Sequence, residues 1–141
     1  MRSACLSTIS FKNSTKTPKH LEILGDGKQT KSYLYINDCI GAMLVGLGKS
    51  TEQVEIYNVG SEDQINVKTI AEIVAEEMGL QNVKFKFTGG VDGGRGWKGD
   101  VKNMLLDIGK IKKLGWKPKN NSQQAIRKAT KHLTTSAHFA Q

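Results

Sequence analysis

Cysteine is scarce. Cys5 and Cys39 are the only two in 141 residues, too few for a disulfide framework and without the spacing of a metal cluster. Cys39 lies in an apolar stretch and reads as a small packed residue rather than a nucleophile. Histidine is equally thin: His20, His132 and His138 fall near the ends, and no H-x-x-x-H pair offers a zinc site. There is no G-x-S-x-G elbow, and Glu76-Glu77 reads as the wet face of a helix rather than a catalytic pair. Long apolar runs are missing too. The longest, Cys39 to Leu47, is too short to span a bilayer. The opening residues carry no signal-peptide pattern, because Lys12 and Asn13 interrupt the only apolar stretch, so a cytoplasmic location is expected. The sequon matches at Asn13 and Asn120 then carry no meaning.

The length suits one domain with one modest core, and 38% hydrophobic with 24% charged residues is ordinary globular composition. The net charge of +8 points to an anionic partner or to a plain basic surface. No block of five like charges occurs, so the charge is not a tail. Low aromatic content, 6%, and the lack of a clustered basic helix disfavour nucleic acid.

Residues 1–20 read as an irregular lead-in with a short helix around Ile9 and Phe11. Strands are expected at Leu21–Leu24, Ser32–Ile36, Val54–Val59 and Val83–Phe87, with a short apolar piece at Met104–Leu106. Asn37 or Asp38 is placed to cap a helix whose stripe is Ile40, Met43, Leu44 and Leu47. Asn66 is placed to cap a stronger one, with Val67, Ile70, Ile73, Val74 and Met78 on one face and Gly79 beyond its end. Asp107 should cap a short helix through Leu114, and Ser122 a last helix, with a frayed tail over 134–141. Strands alternating with helices predict an α/β fold, with 21–133 as its body.

Two attractive phosphate motifs fail. Gly94-Arg95-Gly96-Trp97-Lys98-Gly99 has the form G-x-G-x-x-G, but no amphipathic helix opens after Gly99 to receive a pyrophosphate. Gly48-Lys49-Ser50 ends like a P-loop, but Met43 stands where the first glycine must be.

A different segment is specific. Leu24-Gly25-Asp26-Gly27-Lys28-Gln29-Thr30-Lys31-Ser32-Tyr33-Leu34-Tyr35-Ile36-Asn37-Asp38 resembles the GDG-x-Q-x-R segment of extended short-chain dehydrogenases, and more narrowly of NAD-dependent nucleotide-sugar epimerases and dehydratases such as UDP-glucose 4-epimerase. Tyr57-Asn58-Val59-Gly60-Ser61, Lys98-Gly99-Asp100, Leu106-Asp107-Ile108-Gly109-Lys110 and Leu114-Gly115-Trp116-Lys117-Pro118 are similar to later motifs of that family, in the same order. The resemblance covers roughly 21–133 and implies the C-terminal, substrate-binding portion of the fold, without the main dinucleotide-binding half.

The resemblance implies a nucleotide-sugar ligand. Lys31 would contact its diphosphate, as a point charge where the family more often has arginine. Tyr33 would pack near the nucleotide, and Asp100 would accept from the ribose hydroxyls. Trp97 stands nearest the position of another family arginine, and Arg95 would take over that contact. The family's NAD fingerprint is absent, and so is its catalytic Y-x-x-x-K: the residues four after Tyr33, Tyr35 and Tyr57 are Asn37, Cys39 and Ser61. No catalytic residue, bound NAD or metal is therefore expected. The partners expected are the nucleotide-sugar and either a second copy or a separate N-terminal half, with no membrane. A non-catalytic basic module contacting nucleic acid or a protein is the alternative.

Overall fold

The computed structural model describes residues 9–10 and 20–138. Two three-stranded sheets carry the chain. The first has the order β1-β2-β5, formed by Ile9–Ser10, His20–Ile23 and Lys84–Phe87. β1 runs antiparallel to β2, and β5 runs parallel to it with His20 opposite Lys84. The second has the order β4-β3-β6, from Ile65–Asn66, Thr30–Lys31 and Asn103–Met104. Here β3 pairs antiparallel with β4 and parallel with β6. The helices are α1 (Ile36–Lys49), α2 (Val67–Glu77), α3 (Gly109–Lys113) and α4 (Ser122–His138).

The packing follows the apolar pattern of α2. Asn66 caps it: its Oδ1 accepts from the Thr69 amide at 2.8 Å. Ile70, Ile73 and Val74 then turn onto Leu21 and Ile23 of β2 and onto Ile126 of α4, forming the larger core. Arg127 of α4 ties the pair from outside, donating to Glu77 at 2.6 Å and Glu76 at 2.7 Å. Glu76 and Glu77 thus serve as a helix-helix clamp. A second, smaller core joins Ala42 of α1 to Ile108, Ile111 and Trp116.

Several local expectations change. Ser32–Ile36 is no strand; the paired residues are Thr30 and Lys31, and α1 already begins at Ile36. Neither Asn37 nor Asp38 caps α1. Asp38 is buried and accepts from the Asn120 amide and side chain at 3.1 and 2.8 Å, so its carboxylate anchors the chain before α4 instead. Ser122 does not cap α4 either. Asn121 does, in a reciprocal box with Gln124. The Ser122 hydroxyl is fully buried, donating to Asp63 and accepting from the Tyr33 amide. α4 runs on to His138, through part of the expected frayed tail. Ile9 lies in a strand rather than a helix, and Phe11 lies outside the described residues. Val54–Val59 pairs with no strand among the described residues.

The largest departure is α1. Ile40, Met43, Leu44 and Leu47 follow helical spacing as expected, yet they are 47, 67, 64 and 85% exposed. The buried positions of this helix are Asp38 and Ala42, four residues apart on one face, and Ala42 lies one residue off the apolar stripe.

Candidate functional site

Gln29 immediately precedes β3, and the extended chain turns it to the same side as Lys31, where both reach Asp100. The loop between β5 and β6 comes up to meet them. Its tip is a narrow hairpin in which Val91 and Arg95 exchange both backbone hydrogen bonds, 2.9 and 2.8 Å. Glycine is needed where this hairpin presses on the 25–27 turn. Gly94 has φ +95°, and a Cβ there would collide with the Asp26 carboxylate. Gly25, at φ +94°, leaves no room beside Gln29.

Asp100 sits at the centre. Its side chain is 1% exposed. Oδ1 takes the Lys31 ammonium at 2.6 Å, and Oδ2 accepts from the Gly96 amide at 3.1 Å and the Gln29 amide at 3.5 Å. Burial, the largest influence on this carboxyl, pushes its pKa up. The bonds from Lys31, Gly96 and Gln29 outweigh it and hold the pKa below the ordinary carboxylate value. The group is therefore an anion at neutral pH, matched by one cation.

The Lys31 ammonium also lies 5.4 Å from the centroid of the Trp97 ring, within cation–π range. Trp97 is 40% exposed, so much of the indole is open to solvent. Arg95 folds back along its own loop. Its Nε donates to the Asp100 carbonyl at 2.9 Å and a terminal nitrogen to the Asp92 carbonyl at 2.6 Å. Lys31 thus joins Arg95, Trp97 and Asp100, which lie more than 60 residues later in one loop, in a single cluster. Tyr33 packs against the larger core.

Gln29 was not singled out by sequence reasoning. It is 1% exposed; its amide nitrogen also donates to the Gly94 carbonyl at 3.2 Å, and its Oε1 has no hydrogen-bond partner among the described residues. The available signal was its place two residues before Lys31, on the same side of the extended chain.

The G-x-G-x-x-G stretch does not fit a dinucleotide. The Gly96 amide is taken by Asp100, and β6, not a helix, follows Gly99. Among the described residues no group of histidines, cysteines or carboxylates could hold a metal ion, and no helix is long and apolar enough to cross a membrane.

Residues 8–129 match the family model of GDP-mannose 4,6 dehydratase. The GDP-L-fucose synthase of Sinorhizobium fredii is 30% identical over 109 residues, 77% of this chain and 32% of that protein. Among solved structures, a UDP-galactose 4-epimerase superposes with a TM-score of 0.66 at 35% identity, covering 84% of this chain and 36% of the other. The UDP-glucose 4-epimerase of Thermotoga maritima, solved with UDP-glucose, superposes with a TM-score of 0.67 at 24% identity, covering 82% and 35%. The chain spans about a third of the length of the relatives it matches.

Proposed function

The chain belongs to the GDP-mannose 4,6 dehydratase family, and on that premise we propose that it carries the nucleotide-sugar-binding surface of an NAD-dependent epimerase or dehydratase and performs no turnover by itself. The observation that supports this best is the Lys31–Asp100 pair. A cation and a buried anion are held 2.6 Å apart beside an exposed indole, at the rim of a glycine-rich loop. Such a pair can open by exchange. The ammonium leaves Oδ1 for a phosphate oxygen of the ligand, and Oδ1 accepts a ribose hydroxyl in its place. The carboxylate gives up its cation but keeps hydrogen bonds from Gly96, Gln29 and the hydroxyl, which offset part of the cost of opening. Trp97 offers its open face to the base or sugar. Arg95, bound to main-chain carbonyls on both sides, holds the loop in place and adds positive charge near the diphosphate. Tyr33 supports the strand from the core side.

The chemistry implied for the complete family, removal of a hydride from a sugar carbon by NAD and its return, needs a Tyr-x-x-x-Lys pair and a dinucleotide fingerprint. This sequence has neither. A cofactor-binding part would have to be supplied with it.

Calorimetric titration with UDP and GDP, each beside its nucleoside, tests the reading. The intact chain should bind the diphosphates near 1 mM, about 4 kcal/mol. Lys31→Ala should abolish most of that binding while sparing uridine and guanosine. Equal loss of diphosphate and nucleoside refutes the phosphate contact, and no nucleotide binding by the intact chain refutes the reading for this chain.

A further inference from the structure

Gln29 is buried against Asp100, and its amide can face only one way. Nε2 donates to the Gly94 carbonyl at 3.2 Å and to Asp100 Oδ2 at 3.5 Å. Both partners are acceptors, so a turned amide would set Oε1 against two oxygens. Gly25 packs so close that a Cβ there would collide with Nε2. This orientation leaves Oε1 buried without a hydrogen-bond partner among the described residues, at some cost in stability. What the amide gains is its two N–H bonds, and they tie both ends of the 94–100 loop to one side chain. The Gly94 end is also fixed by the Asp26 amide, which donates to the same carbonyl at 3.0 Å. The bond at the Asp100 end is loose. At 3.5 Å it exceeds the usual range of about 2.7–3.2 Å, while Lys31 holds the other carboxylate oxygen at 2.6 Å.

We propose that Gln29 is a positioning residue, whose amide closes on Asp100 as Lys31 turns to a phosphate and keeps the carboxylate aimed at the ribose. What draws Lys31 away rests on the nucleotide reading above; the answering movement of Gln29 and Asp100 rests on the site alone. Hydrogen bonds to an ionised acceptor are short and strong when nothing competes for its charge. With the ammonium gone, the carboxylate keeps two donors, the Gly96 amide at 3.1 Å and Gln29. Gly96 belongs to the loop that carries Asp100 and moves with it. Gln29 comes from the chain before β3, so it is the donor that fixes the direction of the carboxylate relative to that strand. The other charged groups around the loop are otherwise engaged. Arg95 is spent on the Asp100 and Asp92 carbonyls, and Lys102 on the Gly93 carbonyl. Asp26, whose carboxylate lies against Gly94, has no proton to offer.

Carbon-13 NMR titration of the Asp100 carboxyl in the full chain tests this without a ligand, with Lys31→Ala standing for the state in which the ammonium has left. Gln29→Met keeps the length of the side chain and removes both donors. With Lys31 in place, Gln29→Met should raise the proton affinity of Asp100 only slightly. In the Lys31→Ala background the same change should raise it about tenfold more, because the two donors share one carboxylate and their effects do not add. A second measurement leaves Gln29 unchanged. Its side-chain amide protons should move downfield in Lys31→Ala at neutral pH, and move back as Asp100 is protonated. Equal effects of Gln29→Met in the two backgrounds overturn the proposal, and so do amide protons that stay where they are in Lys31→Ala. A downfield move in Lys31→Ala supports the pairing even where the intact chain binds no UDP, a result that counts against the nucleotide reading alone.

Discussion

Asp100 and Asp63 show how much single carboxylates do in this chain. Asp63 lies at the start of α4, accepting from the Ser122 amide at 3.0 Å and the Ser61 hydroxyl at 2.5 Å. Burial raises its pKa, but these bonds more than reverse that and leave it lowered, as at Asp100. A carboxyl whose pKa is lowered by folding adds stability that is complete above its unfolded value, about 4, and is lost as pH falls through the folded value. Urea midpoints should therefore hold steady from neutral pH to about 5 and drop steeply below about 4. Asp63→Asn should flatten part of that acid limb, and an unchanged limb would mean that Asp63 is not among its causes. Lys31→Ala removes one charge-assisted bond from a carboxylate that stays buried, so it should cost about 1–3 kcal/mol in urea unfolding, with Lys31→Arg costing less. Asp100→Ala should weaken UDP and uridine alike, because both carry the ribose; calorimetry on the two ligands checks it.

Among the elements, α2 is the most legible. Its cap residue, apolar face and terminal glycine (Asn66, Ile70/Ile73/Val74, Gly79) all stand where the periodicity put them. Asn66→Ala should lower stability by about 0.5–2 kcal/mol, and Asn66→Asp by much less, since the carboxylate accepts the same amide bond. Thermal unfolding of the two variants separates the cases, and equal losses would argue against a capping role. α4 was legible as a helix but not at its first turn. Asn121 and Ser122 are both good caps by composition, and the choice between them came from Asp63, 59 residues earlier in the chain. The 54–59 segment has the alternation of a strand but no partner strand among the described residues, and pairing is a property of two segments, not one.

At the scale of the whole molecule, the chain holds a larger core around α2 and a smaller one that α1 joins through Ala42. It should show no turnover of UDP-glucose or GDP-mannose with NAD supplied, since none of its tyrosines is followed by lysine four residues on. Measurable sugar conversion by the homogeneous chain would overturn this.

The amino-acid sequence alone determined the family, the α/β class and the order of motifs from Gly25 to Pro118, because each of these rests on local spacing: turn glycines, caps and apolar periods within a few residues. It also named four residues that the fold brings together, Lys31, Arg95, Trp97 and Asp100. Their relation was beyond its reach. Lys31 and Asp100 are 69 residues apart, and only the parallel pairing of β3 with β6 sets one against the other. The same holds for burial. Ile40, Met43, Leu44 and Leu47 have the spacing of a buried stripe, yet whether a stripe is covered depends on what packs against it. In this chain the helix turns Ala42 inward and leaves the stripe to water. Periodicity sets which side chains share a face, and only the assembled chain decides which face is in.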